Sequence, residues 1–264
     1  ILNGLREIKT YILINIIQSI CALVFTTILI YFFGIDGALI SLVTNQSVVL
    51  LIVVYLLRKH SVIKCNIILL GFNKVEAKKL IKFSAMALTT AAMVPVSHLF
   101  IRKYIVDNIS WEAAGYWQAI WYISTMYLMV VTTALSTYFL PRFSELLDKT
   151  SIKNEIINGY KLIIPLVIIM AGSIYLLKDF IIWVLFTEEF KPMRELFKWQ
   201  LIGDFFKLSS WLLSFLMISK AMTREFVFTE VIFSISFIIL SVLFIDKFGL
   251  VGVTYAHVIN YIFY

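Results

Sequence analysis

Residues 11 to 35 form a run without a single charged side chain, and beyond Asp36 a second such run extends from 37 to 57. About 20 apolar residues in helical form cross the ~30 Å hydrocarbon layer of a bilayer, so both runs are long enough to span it. Inside hydrocarbon every backbone N–H and C=O has to be paired within the protein, which leaves helices as the form such runs can take. Composition extends this reading to the whole chain. Hydrophobic residues make up 61% and charged residues 15%, where a soluble domain carries about 45–50% and ~25%. Mean hydropathy is +0.93. The fold class expected is all-α, a polytopic transmembrane helical bundle.

Eight spans are expected, at 11–35, 37–57, 80–105, 112–138, 156–177, 193–219, 226–245 and 250–264. Asp36 and its flanking glycines predict a short turn between the first two. Pro95 predicts a kink in the third. The chain begins without Met and stops at Tyr264 inside an apolar run, so it reads as a piece of a longer protein. Three shorter apolar segments are expected outside the spans. They are a surface segment at 62–72, an interfacial amphipathic helix at 140–160, and a dipping or surface-lying segment at 180–186. The basic stretch from Arg58 to Lys82 marks a domain boundary, with one domain at 1–72 and the other at 73–264.

Lysine and arginine set the orientation. Alternate loops divide these residues into a set of fifteen, which includes Arg6, Arg58, Arg142 and Arg224, and a set of seven, which includes Arg102, Lys178, Arg194 and Lys247. The richer side faces the cytoplasm. The net charge of +7 is thereby topology charge and calls for no nucleic-acid partner.

Catalytic and metal signatures are missing from the sequence. It contains no GxxxxGK[ST] loop, HExxH or CxxC motif, and His60, His98 and His257 read as unclustered. Cys21 and Cys65 suggest no disulfide framework. No cofactor, metal or catalytic residue is expected, and the enzyme class is the weaker reading.

Polar groups inside the spans carry the functional signal. Asp204 lies about 16–17 Å along the helix from Met193, near mid-bilayer, with Lys207 at i+3 on the same face. A charge at that depth costs roughly 2.5–3.5 kcal/mol on insertion scales, so both should face other helices or water. An internal Asp–Lys ion pair and a transport role are both open. Arg102 and Lys207 are candidate cations for an anionic substrate, Arg102 also fitting a snorkelling interfacial residue. Asp204, Glu230 and His98 are candidates for proton coupling or ion pairing. Trp117–Gln118 and Trp199–Gln200 form an internal echo near the outer ends of two spans, where tryptophan more often anchors than binds.

Specific strings then carry a resemblance. HLFIRKY, ISWEAAGYWQAIWYIS, STYFLPRFSEL, LKDFIIWVLF, MRELFKWQLIGDFFK and FVFTEV follow in order from about Lys82 to Phe233, with GLRE earlier at Gly4 to Glu7. They resemble the Wzx flippases of the multidrug/oligosaccharidyl-lipid/polysaccharide exporter superfamily. The resemblance implies twelve spans in two six-helix lobes around a central cavity, of which this chain would hold spans five to twelve. Residues 1–72 would then close the amino-terminal lobe and 73–264 form the carboxy-terminal one. The implied activity is translocation of undecaprenyl-diphosphate-linked oligosaccharide to the periplasmic leaflet of the bacterial inner membrane, for O-antigen or enterobacterial common antigen assembly. Implied partners are that lipid-linked glycan, the bilayer and other polysaccharide-assembly proteins. Arg102, Lys207, Trp117, Gln118, Trp199 and Gln200 stand in matching strings as candidate substrate contacts, and Asp204 and Glu230 stand in them as proton-coupling or ion-pair candidates. A drug or cation antiporter of the same superfamily and a membrane glycan polymerase or ligase remain the rival readings.

Overall fold

The computed structural model describes residues 8–58 and 74–264. The chain divides into two compact units, Ile1–Asn73 and Lys74–Tyr264, and each is described by itself. By length and composition, six described helices can cross a membrane: Ile16–Asn45, Leu80–Asn108, Trp111–Glu145, Lys149–Leu185, Glu188–Ser219 and Thr223–Phe248. The all-α polytopic class expected from the apolar runs is the one found.

The first unit holds α1, Ile8–Arg58. The two uncharged runs belong to this one element, which breaks at Gly34 rather than turning at Asp36. Gly34 adopts φ 57° and ψ −131°, a conformation open to glycine and strained for residues with a Cβ. The break is sharp. A methyl group built on Gly37 would strike the Leu29 carbonyl, whereas eight residues of straight helix would set them about 12 Å apart. The segment 62–72 and Cys65 lie outside the described residues.

The second unit contains α2 (Lys74–Asn108), α3 (Trp111–Glu145), α4 (Lys149–Leu185), a 3₁₀ turn at Glu188–Glu195, α5 (Leu196–Ser219), α6 (Thr223–Phe248) and α7 (Val251–Phe263). Pro95, Pro141 and Pro165 all lie inside helices. Local chemistry marks the starts. The Ser110 side chain accepts from the Ala113 N–H at the head of α3, and Asp148 accepts from the Ser151 N–H at the head of α4. That backbone N–H holds the Asp148 carboxyl below its ordinary range. Gly249, at φ 63°, turns α6 into α7, and Gly252 lies so close to the Phe244 carbonyl that a Cβ would collide with it.

Two surface segments expected from the sequence are absorbed into longer helices. Residues 140–145 continue α3, a break follows at 146–148, and α4 starts at Lys149, so 140–160 is no separate interfacial helix. Residues 180–185 are the last turns of α4 rather than a dipping loop. At 37 residues, α4 runs about 55 Å, well beyond the hydrocarbon layer. Charge at the helix ends, which the sequence reading took as a segment boundary, is accommodated because those ends stand outside the apolar layer.

Packing places α5 at the centre. It contacts α3, α4 and α7, while α6 pairs with α7 and with α2. α2 and α3 close the circuit with the thinnest contact in it. Five helices thus form a ring of α2, α6, α7, α5 and α3, with α4 outside it against α5. Gly159 allows that approach, because a Cβ there would sit 2.8 Å from Leu212 Cδ2. Trp117, Phe143, Ile163, Phe197, Leu208 and Leu212 are among the side chains filling the core. The outer end, by the charge rule, is the one bearing Asn108, Glu188 and Phe248. There Arg194 bonds Asp179 at 2.9 Å and Tyr104 donates to Asp246 at 2.6 Å.

Candidate functional site: a polar centre inside the ring

Positions 200, 204, 207 and 211 follow one another at helical spacing on α5, so Gln200, Asp204, Lys207 and Trp211 share a face. That face is turned into the ring. Asp204 is fully buried. Its carboxylate accepts from the Ser124 hydroxyl, from Tyr127 OH at 2.7 Å and from Gln200 Nε2 at 3.3 Å. His257 Nε2, from α7, lies 3.0 Å from Oδ1. Gly203 makes this possible, since a Cβ there would run into the His257 ring. Both carboxylate oxygens are therefore occupied by donors from three helices. A buried acid in that state is stabilised as an acceptor and ties the helices together.

Lys207 lies one turn further along and is used differently. It has no carboxylate within 4 Å among the described residues. Its Nζ sits over the rings of Trp121, Trp211 and Tyr261, at 4.4, 5.3 and 5.4 Å from their centroids. An ammonium over ring faces is held by their quadrupoles without being neutralised. The internal Asp204–Lys207 ion pair, left open by the sequence, does not form.

Lys207 and its aromatic box border a cavity of about 280 Å³ lined by all five ring helices. His98 enters it from α2, Glu230 from α6, Asn260 from α7 and Tyr264 from just beyond the end of α7. Glu230 accepts from Tyr264 OH at 2.8 Å, and that hydroxyl lies 3.2 Å from Ser214 Oγ. A second cavity of about 300 Å³ shares Thr90, Trp211 and Glu230 with the first and continues toward the inner end past Thr132, Thr133 and Ser136.

Among the residues singled out by sequence, Lys207, Glu230 and His98 meet at this cavity, with Asp204 and Gln200 just behind it. Trp117 is buried and stacks on His98 at 5.1 Å. Arg102 stands apart, one turn beyond His98 on α2, and donates to Gln118. Trp199 lies away from the cavity, with its ring edge-on to Tyr255 at 4.9 Å and Lys198 nearby. The tryptophan–glutamine echo is therefore split. One half packs beside the cavity, and of the other only Gln200 turns inward. His98 and His257 are not unclustered, because both rings contact Trp121 and Phe237. Sequence reasoning missed the place of His257, Trp211 and Tyr261 at this site. The signal available was the polar spacing of Thr254, His257 and Tyr261 along one face of the last apolar segment. Among the described residues no group of His, Cys, Asp and Glu has the geometry to hold a metal ion.

A multi-pass helical bundle with a lysine held over aromatic rings beside an internal chamber is a membrane protein with a solute-sized internal space. The chain is 33% identical over 231 residues to a protein named Lipid III flippase from Escherichia coli (strain K12), and equally to the Lipid III flippase of Shigella flexneri. These alignments bear out the flippase resemblance carried by the sequence strings. They take in 88% of this chain and 56% of each relative, so the chain spans about half the length of the curated relatives it matches. No family model and no solved structure matches the sequence.

Proposed function

We propose that this chain is the cavity-bearing part of a flippase that moves undecaprenyl-diphosphate-linked oligosaccharide from the cytoplasmic to the periplasmic leaflet of the bacterial inner membrane, for enterobacterial common antigen or O-antigen assembly. The observation that carries the reading is Lys207, a buried cation with no carboxylate within 4 Å among the described residues, facing a chamber that five helices enclose. An ammonium in that position attracts the diphosphate and exchanges its aromatic contacts for charge-assisted hydrogen bonds. Glu230 and His98, on the opposite wall, are the groups that titrate or pair as the anion enters and leaves. Asp204 keeps the ring assembled during this. Residues 1–72 belong to the amino-terminal lobe and 73–264 to the carboxy-terminal lobe, and the two lobes rock to open a central cavity alternately inward and outward. The glycan crosses in water while the polyprenyl tail stays in lipid. The mechanism needs no covalent step, so the protein is not an enzyme.

The names of the aligned relatives support this reading over the cation antiporter, as does the lysine in the chamber wall. The test is glycan display in cells lacking their own flippase and carrying the intact gene that encodes this chain. Lys207→Ala should abolish display while the protein remains in the membrane at normal level. Display at wild-type level would overturn the role of Lys207, and conferred drug resistance in place of display would favour the antiporter.

A further inference from the structure

α4 does not line the chamber, and its contact with α5 is wedge-shaped. Toward the inner end the helices touch closely at Gly159 and Leu212. Toward the outer end they part around an apolar groove of about 480 Å³. One wall is formed by Ile168, Gly172 and Tyr175 and the other by Leu201, Ile202 and Phe205. Gly172 opens the groove, since a Cβ built on it would meet nothing within 4 Å. From Ile168 to Tyr175 the groove runs about 10 Å along the helix axis, enough for the upper part of an acyl chain.

Two cations stand at its outer mouth. Lys198 borders the groove directly, and Lys178 Nζ lies 3.8 Å from the ring centroid of Tyr175. Among the described residues neither has a carboxylate within 4 Å. Asp179 is bonded to Arg194 and Glu188 to Lys191. An apolar slot with two unneutralised ammonium groups at the depth of the headgroups complements one anionic headgroup and its chain.

We propose that this groove binds an anionic glycerophospholipid of the outer leaflet, with its phosphate between Lys178 and Lys198 and one acyl chain along Gly172. The occupant is a resident lipid and not the transported polyprenyl chain. The groove lies on the side of α5 opposite Asp204 and Lys207, and no lining residue is common to it and to the chamber. The site is independent of the transport reading, and its test needs no transport.

The experiment is native mass spectrometry of the intact detergent-purified protein, titrated with phosphatidylglycerol or phosphatidylethanolamine of identical chains. Phosphatidylglycerol should occupy one site in preference to phosphatidylethanolamine. Lys178→Gln with Lys198→Gln should lower its affinity about 30-fold, the order expected for two cations near an anionic headgroup. Gly172→Leu fills the groove without a clash and should lower it with both lysines in place. Size-exclusion profile and helical circular dichroism confirm that each variant is folded. Equal binding of the two lipids, occupancy indifferent to both variants, or displacement of phosphatidylglycerol by an equimolar amount of undecaprenyl phosphate would overturn the proposal.

Discussion

Asp204 and Lys207 stand one turn apart on α5, both buried, yet their surroundings are opposites. The acid is enclosed by donors from three helices, with both oxygens used. The lysine has the ring faces of Trp121, Trp211 and Tyr261 around it and a chamber beyond. A group whose bonding capacity is spent maintains structure, while one whose capacity is unspent remains available to a ligand. Sequence spacing alone treats the two as a pair, and only the helices packed around them separate their roles.

Substitutions can break or sharpen this contrast. Asp204→Ala should have the largest effect on stability. It leaves Tyr127 and His257 buried without their acceptor, a loss of about 3 kcal/mol that a thermal melt in detergent would read. If the melting temperature does not move, Asp204 is no keystone. Lys207→Ala, the variant that should abolish display, should by contrast leave the melt almost unchanged, because no carboxylate is orphaned. Gly203→Ala comes next. Its methyl meets the His257 ring, and displacing that ring should cost about 1–3 kcal/mol in the same melt. Glu230→Gln keeps an oxygen for Tyr264 and should lower glycan display without abolishing it. Trp199→Phe should do least, with display unchanged and stability within about 0.5 kcal/mol, since that ring packs on Tyr255 away from the chamber.

The uncharged runs made the helical membrane class legible, because hydropathy and length are local properties. The spans at 80–105 and 226–245 fall within α2 and α6 for the same reason. The placement of Lys207 was legible too, since a cation at mid-depth has few tolerable surroundings. His257 was not, because its neighbour His98 lies on a helix far away in sequence. Which faces of α2 and α7 turn toward each other is decided by ring packing, and periodicity within one helix does not contain that. The helix ends were misjudged at 140–160 and 180–186, where charges read as boundaries proved to lie on helices longer than the bilayer is thick.

The thin contact between α2 and α3 bears on how the chamber is entered. At the outer end the two helices are tied by the short link at 109–110, while toward the inner end the second cavity runs between Thr90 on one and Thr132 and Thr133 on the other. α6 and α7 are joined at Gly249 and packed closely along their length. The bundle is therefore built like a purse with its clasp at one corner. The stitching is densest on the α5–α7–α6 side, and the seam with the least holding it is the one between α2 and α3, toward the inner end.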